Sequence, residues 1–220
     1  MPSEFPGLSP CFAVTPSSPM TAGTMLARLD RETGEHHADS VRGWTRLVDG
    51  DQVARDEYIR QLVMTYGFEA PYEAACQYTP GLAQTIDLRG RWRSGLIAQD
   101  LLALGWKPDE ITRVRCHSVS PFQDAAEALG WMYAVERATL CHLDVRDELV
   151  SRFVDLSRAC AYLGAYERAV SRRWSELGVA IDQLAASRRV SDRILAAACE
   201  AFAKLREWHR VSEPMLRSVG

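Results

Sequence analysis

The sequence predicts an all-α protein, a multi-helix bundle, and three observations carry that expectation. Apolar residues recur at three- and four-residue steps through most of the chain. Helix-stop and helix-start signals, Gly105 with Pro108 and then Ser120-Pro121, punctuate the periodic stretches. No Asn-Gly or Asp-Gly pair joins alternating strands, because Asp49-Gly50-Asp51 is flanked by helical patterns on both sides.

Length and composition agree with one ordinary domain: 220 residues, 47% of them hydrophobic and 25% charged, can bury most of their apolar surface without disulfides or structural metals. Residues 1–20, MPSEFPGLSPCFAVTPSSPM, are rich in Pro and Ser and lack periodicity. They read as a flexible extension that cannot offset its ordering entropy by burial, which leaves the folded domain at 21–215.

The first helix carries Leu26, Leu29, Thr33, His37 and Val41 on one stripe, with Thr24 as its cap. In ARDEYIRQLVMTYGFEAPYEAAC, a second helix places Tyr58, Leu62, Thr65 and Phe68 or Glu69 on one face, with a bend expected at Pro71. Glu69 interrupts an otherwise apolar stripe and is expected on a solvated face. SGLIAQDLLALGW is a short helix ended by Gly105. The next opens at Ser120-Pro121 and runs through GWMYAVERATLCHLDV; LSRACAYLGAY then breaks or re-forms near Gly164. Amphipathic helices at roughly 168–186 and 191–210 complete a set of about seven or eight. Trp131, Tyr133, Trp174, Phe202 and Trp208 lie on helical stripes and read as inter-helix core.

A net charge of -3 supplies no basic excess, so neither nucleic acid nor an anionic membrane surface is an expected partner. No apolar run approaches the ~18 residues of a membrane span, and the N-terminus lacks a basic region followed by an apolar one. The six cysteines are scattered with no CxxC spacing, which suits reduced thiols and a cytoplasmic location. Cys116-His117 and Cys141-His142 are contiguous pairs whose members diverge by about 100° on a helix, a poor basis for a Cys₂His₂ metal site.

Five segments in order, YIRQLVMTYGFEAPYEAAC, PGLAQTIDLRGRWRSGLIAQDLLALG, EALGWMYAVERATL, SRRWSELGVAID and ACEAFAKLREWH, resemble the bacterial heme oxygenase family, the branch that supplies biliverdin to bacteriophytochromes. The resemblance spans residues 25–210 and implies a heme-oxygenase-like helical bundle that holds heme between a proximal and a distal helix. In LDRETGEHHADS the family's Leu, Thr and His spacing falls on Leu29, Thr33 and His37, so His37 is the implied iron ligand. Tyr133 precedes the distal motif and is implied near a heme propionate. Arg172 and Arg173 match a basic region near the propionates; seven residues before His37, where the family often has a basic residue, stands Asp30, with Arg31 or Arg28 the nearest substitutes.

The implied activity is oxidative cleavage of heme, both cofactor and substrate, to biliverdin, CO and iron. Electrons would come from an external reductase, and a bacteriophytochrome would be the recipient of product. One departure bears on this directly. The distal helix of the family carries glycines in a GxxxGG pattern, and YAVERATLCH places Arg137, Cys141 and His142 at those three positions. A Cys or His aimed at the iron fills the oxygen site, and Arg137 brings a charge to an apolar face unless a carboxylate meets it. Two other readings follow: a non-catalytic sensor or carrier with six-coordinate heme, Cys141 or His142 opposite His37, or a heme-free relative that binds another small molecule or a protein partner.

Overall fold

Leu26 and Leu29, fully or nearly buried, begin the stripe that organises the N-terminal part of a computed structural model describing residues 24–49 and 55–217; the 1–20 extension lies outside them. Every regular element among the described residues is helical. Helix α1 (Met25–Glu32) starts at Thr24, whose hydroxyl accepts from Ala27 N at 3.3 Å. The single helix expected here is in fact two. Thr33 ends α1, its hydroxyl donating back to Leu29 O at 2.8 Å, and α2 (Gly34–Asp49) starts on a glycine, the poorest helix former after proline. The buried stripe then continues along α2 through Val41, Trp44 and Leu47.

Helix α3 (Arg55–Gln77) continues through Pro71 as one element and buries residues on several sides, including Tyr58, Leu62, Phe68, Glu69 and Glu73. The expectation of a solvated Glu69 is corrected: it is 4% exposed. After the short α4 (Leu82–Thr85), α5 (Ser94–Ala103) is closed by Gly105 in the left-handed region, φ 92°, and Pro108 opens α6 (Pro108–Thr112).

Helix α7 (Ala125–Arg137) begins at Asp124, whose carboxylate accepts from Ala126 N and Glu127 N, and not at the Ser-Pro pair upstream. Its regular geometry stops at Arg137. A 3-10 turn over Ala138–Cys141 intervenes before α8 (His142–Arg152), so the interruption falls where the resemblance puts the glycine-rich stretch, made here without glycine. Two further 3-10 turns lead to α9 (Val170–Leu184) and α10 (Arg188–Arg217). Helices α7 and α10 pack most closely: a Cβ on Gly130 would collide with Ile194 O and lie 2.7 Å from Ala197 Cβ, so only glycine permits this approach. One core cluster surrounds that pair; a second, with Trp44, Tyr58, Leu62, Ile97, Leu149 and Tyr162, lies between α2, α3, α5 and α8.

Candidate functional site

His37 sits in the first turn of α2, with its ring 5.8 Å from that of Phe202 on α10. Its Nε2 is 2.9 Å from Thr33 Oγ1 and 3.3 Å from Tyr133 Oη. The Thr33 hydroxyl donates to Leu29 O, and on the other side of the ring Nδ1 lies 3.9 Å from Asp30 Oδ1, so both ring nitrogens face polar groups of the protein. Burial pushes the His37 pKa down to about 4, the nearby Arg137 adding to this and Asp30 partly opposing it. The imidazole is therefore neutral at pH 7, with Nε2 engaged by Thr33 and Tyr133.

The interrupted segment faces α2 directly. Val41 shares a buried cluster with Ala138 and Cys141, whose thiol donates to Ala138 O. Two turns beyond His37 on the same stripe, Trp44 meets the His142 ring at 5.7 Å and stacks on Tyr162 at 5.4 Å. His142 is 3% exposed, with its ring 4.9 Å from Tyr162; burial drives its pKa well below the usual value and Arg93 reinforces the shift. Arg137 reaches Asp30 Oδ1 at 3.2 Å, so the acidic residue at a usually basic position and the basic residue at a usually glycine position satisfy each other. At a half-exposed site such a pair contributes no more than about 1 kcal/mol.

Beneath these rings lies a buried ionic network that sequence reasoning missed. Glu69 Oε1 accepts from Tyr162 Oη at 2.5 Å and from Arg93 Nη2 at 3.1 Å. Glu73 accepts from the backbone N–H groups of Arg93 and Ser94 and from the Ser94 hydroxyl. Arg91 donates to both oxygens of Glu136, at 2.7 and 2.6 Å, and Tyr166 adds a hydroxyl at 3.3 Å. The Arg93 guanidinium also lies over the Tyr162 and Tyr166 rings, 5.6 and 5.5 Å from their centroids. Asp100 accepts from Ala161 N and Tyr162 N, which fixes the segment that presents Tyr162.

Burial raises the Glu69 carboxyl to about 7 against the opposing pull of Arg93, with Glu73 adding to the rise. A folded pKa above the unfolded one means that the stability Glu69 contributes is fully present below about 4.5 and is lost as pH climbs to about 7. Glu69→Gln, which mimics the protonated form, is accordingly expected to gain on the parent chain as pH rises from 4.5 to 7. Paired thermal melts at several pH values check this, and a gap that does not change with pH contradicts it.

Of the residues predicted from sequence, the structure brings His37, Tyr133 and Arg137 to one place and sets Cys141 and His142 against α2. Arg31 is exposed and pairs with Glu32, while Arg172 is exposed and pairs with Glu176. Arg173 bonds Glu176 and Arg89 O. These three arginines are thus engaged with partners other than the side chains bonded to His37. No group of three or more His, Cys, Asp or Glu side chains among the described residues is placed to hold a metal ion, and no helix among them is long and apolar enough to cross a membrane.

A planar macrocycle between two helices needs facing surfaces separated by two van der Waals contacts of roughly 3.5 Å each. Here Val41 and Trp44 reach the distal segment themselves. The cavity left beside them measures about 30 Å³, against the roughly 300–1,000 Å³ of ordinary ligand pockets. The residues present do not fit a heme in this arrangement. A larger open groove, about 710 Å³, runs along Arg146, Val150, Arg158 and Gly164 and includes none of the predicted residues.

No family model matches the chain, and no curated protein matches it. Among solved structures the chain is similar to the NO- and CO-bound heme oxygenase from Neisseria meningitidis, with a TM-score of 0.68 at 20% identity over 87% of this chain and 92% of that one. At that identity the likeness speaks for architecture, and the architecture is plain: this chain has the all-α, heme-oxygenase-like fold.

Proposed function

We propose that this chain keeps the heme oxygenase fold without the oxygenase reaction, and acts as a cytoplasmic small-molecule-binding protein, one domain over residues 21–215, whose heme slot is closed. The observation that carries the reading is the direct contact of Val41 with Ala138 and Cys141, and of Trp44 with His142. It is supported by the engagement of His37 Nε2 by Thr33 and Tyr133 and by the Asp30–Arg137 pair, which together occupy the polar groups around the implied iron ligand. On this closed-slot reading neither a reductase nor a bacteriophytochrome is an expected partner.

Titration of the purified chain with hemin tests this. The expected result is a spectrum that remains that of free hemin, with no biliverdin formed after reductant and oxygen are added. A bound spectrum that converts to biliverdin overturns the proposal and restores the oxygenase.

One observation favours a second reading, heme carriage without turnover. His37 is neutral at pH 7, is flanked by Tyr133 and Phe202, and so has the protonation state of an iron ligand. Carriage requires α2 to separate from the distal segment and Nε2 to leave Thr33 and Tyr133. A stable six-coordinate spectrum, lost in His37→Ala, identifies that case.

A further inference from the structure

We propose that the small cavity beside Trp44 is a binding site for a small primary ammonium, ammonium itself or methylammonium, held by the Glu69 carboxylate. This rests on the closed-slot reading, since the cavity exists in this form only while Trp44 stands in the slot.

The cavity is lined by Glu69, Trp44, Phe68, Tyr162, Gln61 and Thr65, among others. Its volume of about 30 Å³ exceeds the ~10–15 Å³ that one water needs and admits a guest of one or two heavy atoms. Glu69 Oε1 already accepts twice, whereas Oε2, on a residue 4% exposed, has no hydrogen-bond partner among the described residues. A buried carboxylate oxygen without a donor is costly, and the site invites one.

Charge balance selects the donor. The buried network holds four carboxylates, Glu69, Glu73, Asp100 and Glu136, and two guanidiniums, Arg91 and Arg93, so negative groups outnumber positive ones. A water satisfies Oε2 and leaves the excess charge, while a monovalent cation with N–H groups satisfies Oε2 and lowers that excess. The walls suit the same guest, because three aromatic side chains, Trp44, Phe68 and Tyr162, line the cavity. Larger cations such as guanidinium or tetramethylammonium exceed the space.

The test compares thermal melts of the full chain at pH 8 in methylammonium chloride and in tetramethylammonium chloride at equal ionic strength. Expected is a saturable rise of roughly 5–10 °C in methylammonium alone at a hundredfold excess over Kd, absent in Glu69→Gln. The methyl resonance of ¹³C-methylammonium should also shift under the ring currents of the three aromatic side chains. Equal melting points in the two salts with an unshifted methyl signal overturn the proposal, as does a rise that survives in Glu69→Gln. If that variant does not fold, the methyl shift in the parent chain decides alone. Hemin is titrated into the same preparation: a bound heme spectrum overturns the closed slot itself, whereas a sample that binds neither hemin nor methylammonium overturns only the ammonium site.

Discussion

Arg93→Met is expected to lower folding stability by about 3–5 kcal/mol, because it removes one partner of a buried pair and leaves the other charge uncompensated. Arg93 is 1% exposed, its guanidinium bonded to Glu69 and stacked over two tyrosine rings. Its backbone N–H also anchors Glu73, and that bond survives the substitution, so the loss reports the side chain alone. Adding Glu69→Leu to Arg93→Met should recover a large share of the deficit, since a buried ion pair replaced by apolar groups is often close to neutral. Urea unfolding of the two singles and the double gives the coupling directly. A loss under about 1 kcal/mol for Arg93→Met, the size seen for solvated pairs, contradicts a buried network around Glu69.

Trp44→Ala is expected to cost about 3–5 kcal/mol, the range for an aromatic removed from a core. Trp44 is 2% exposed and touches the rings of Tyr58, His142 and Tyr162, which come from three different parts of the chain. Its removal admits water to His142. The depressed pKa of that ring, caused chiefly by burial, should then climb toward its ordinary value, and NMR titration of the ring protons follows the change. An unchanged stability or an unmoved His142 titration is inconsistent with an indole that fills the slot.

How much of this is legible in the sequence depends on how local each cause is. The helices announce themselves by periodicity, and the buried faces of α2 and α7 follow from it. The break at Thr33 leaves no trace in the pattern, because Leu29, Thr33, His37 and Val41 keep one phase across it. The start of α7 differs from the expected one because Asp124 offers the side-chain cap that Ser120 does not.

The interrupted distal segment is legible as a position through the family resemblance, and Cys141 and His142 there signal a crowded oxygen site, but not that residues of the opposite helix close the gap. That outcome depends on Val41 and Trp44, which read only as ordinary apolar residues of the first stripe. Long-range pairing hides the rest. Glu69 stands out as a carboxylate in an apolar helix, but its partner Arg93 is 24 residues away on another element, and Tyr133 meets His37 across 96. A mid-helix carboxylate is the available signal, and it marks a buried ion pair where solvent was the expected partner.

Whether α2 and the distal segment truly touch is open to a direct covalent measurement. Val41→Cys places a thiol in the cluster that already contains Cys141 and Ala138. A disulfide forms only when the two Cα atoms lie within about 7 Å, closer than helices parted by a macrocycle allow. Mild oxidation of Val41→Cys should therefore join the introduced thiol to Cys141, a cross-link mapped by mass spectrometry, with the same yield when hemin is added first. Thiols that stay reduced, or a cross-link that hemin prevents, would mean that the slot is open to a tetrapyrrole.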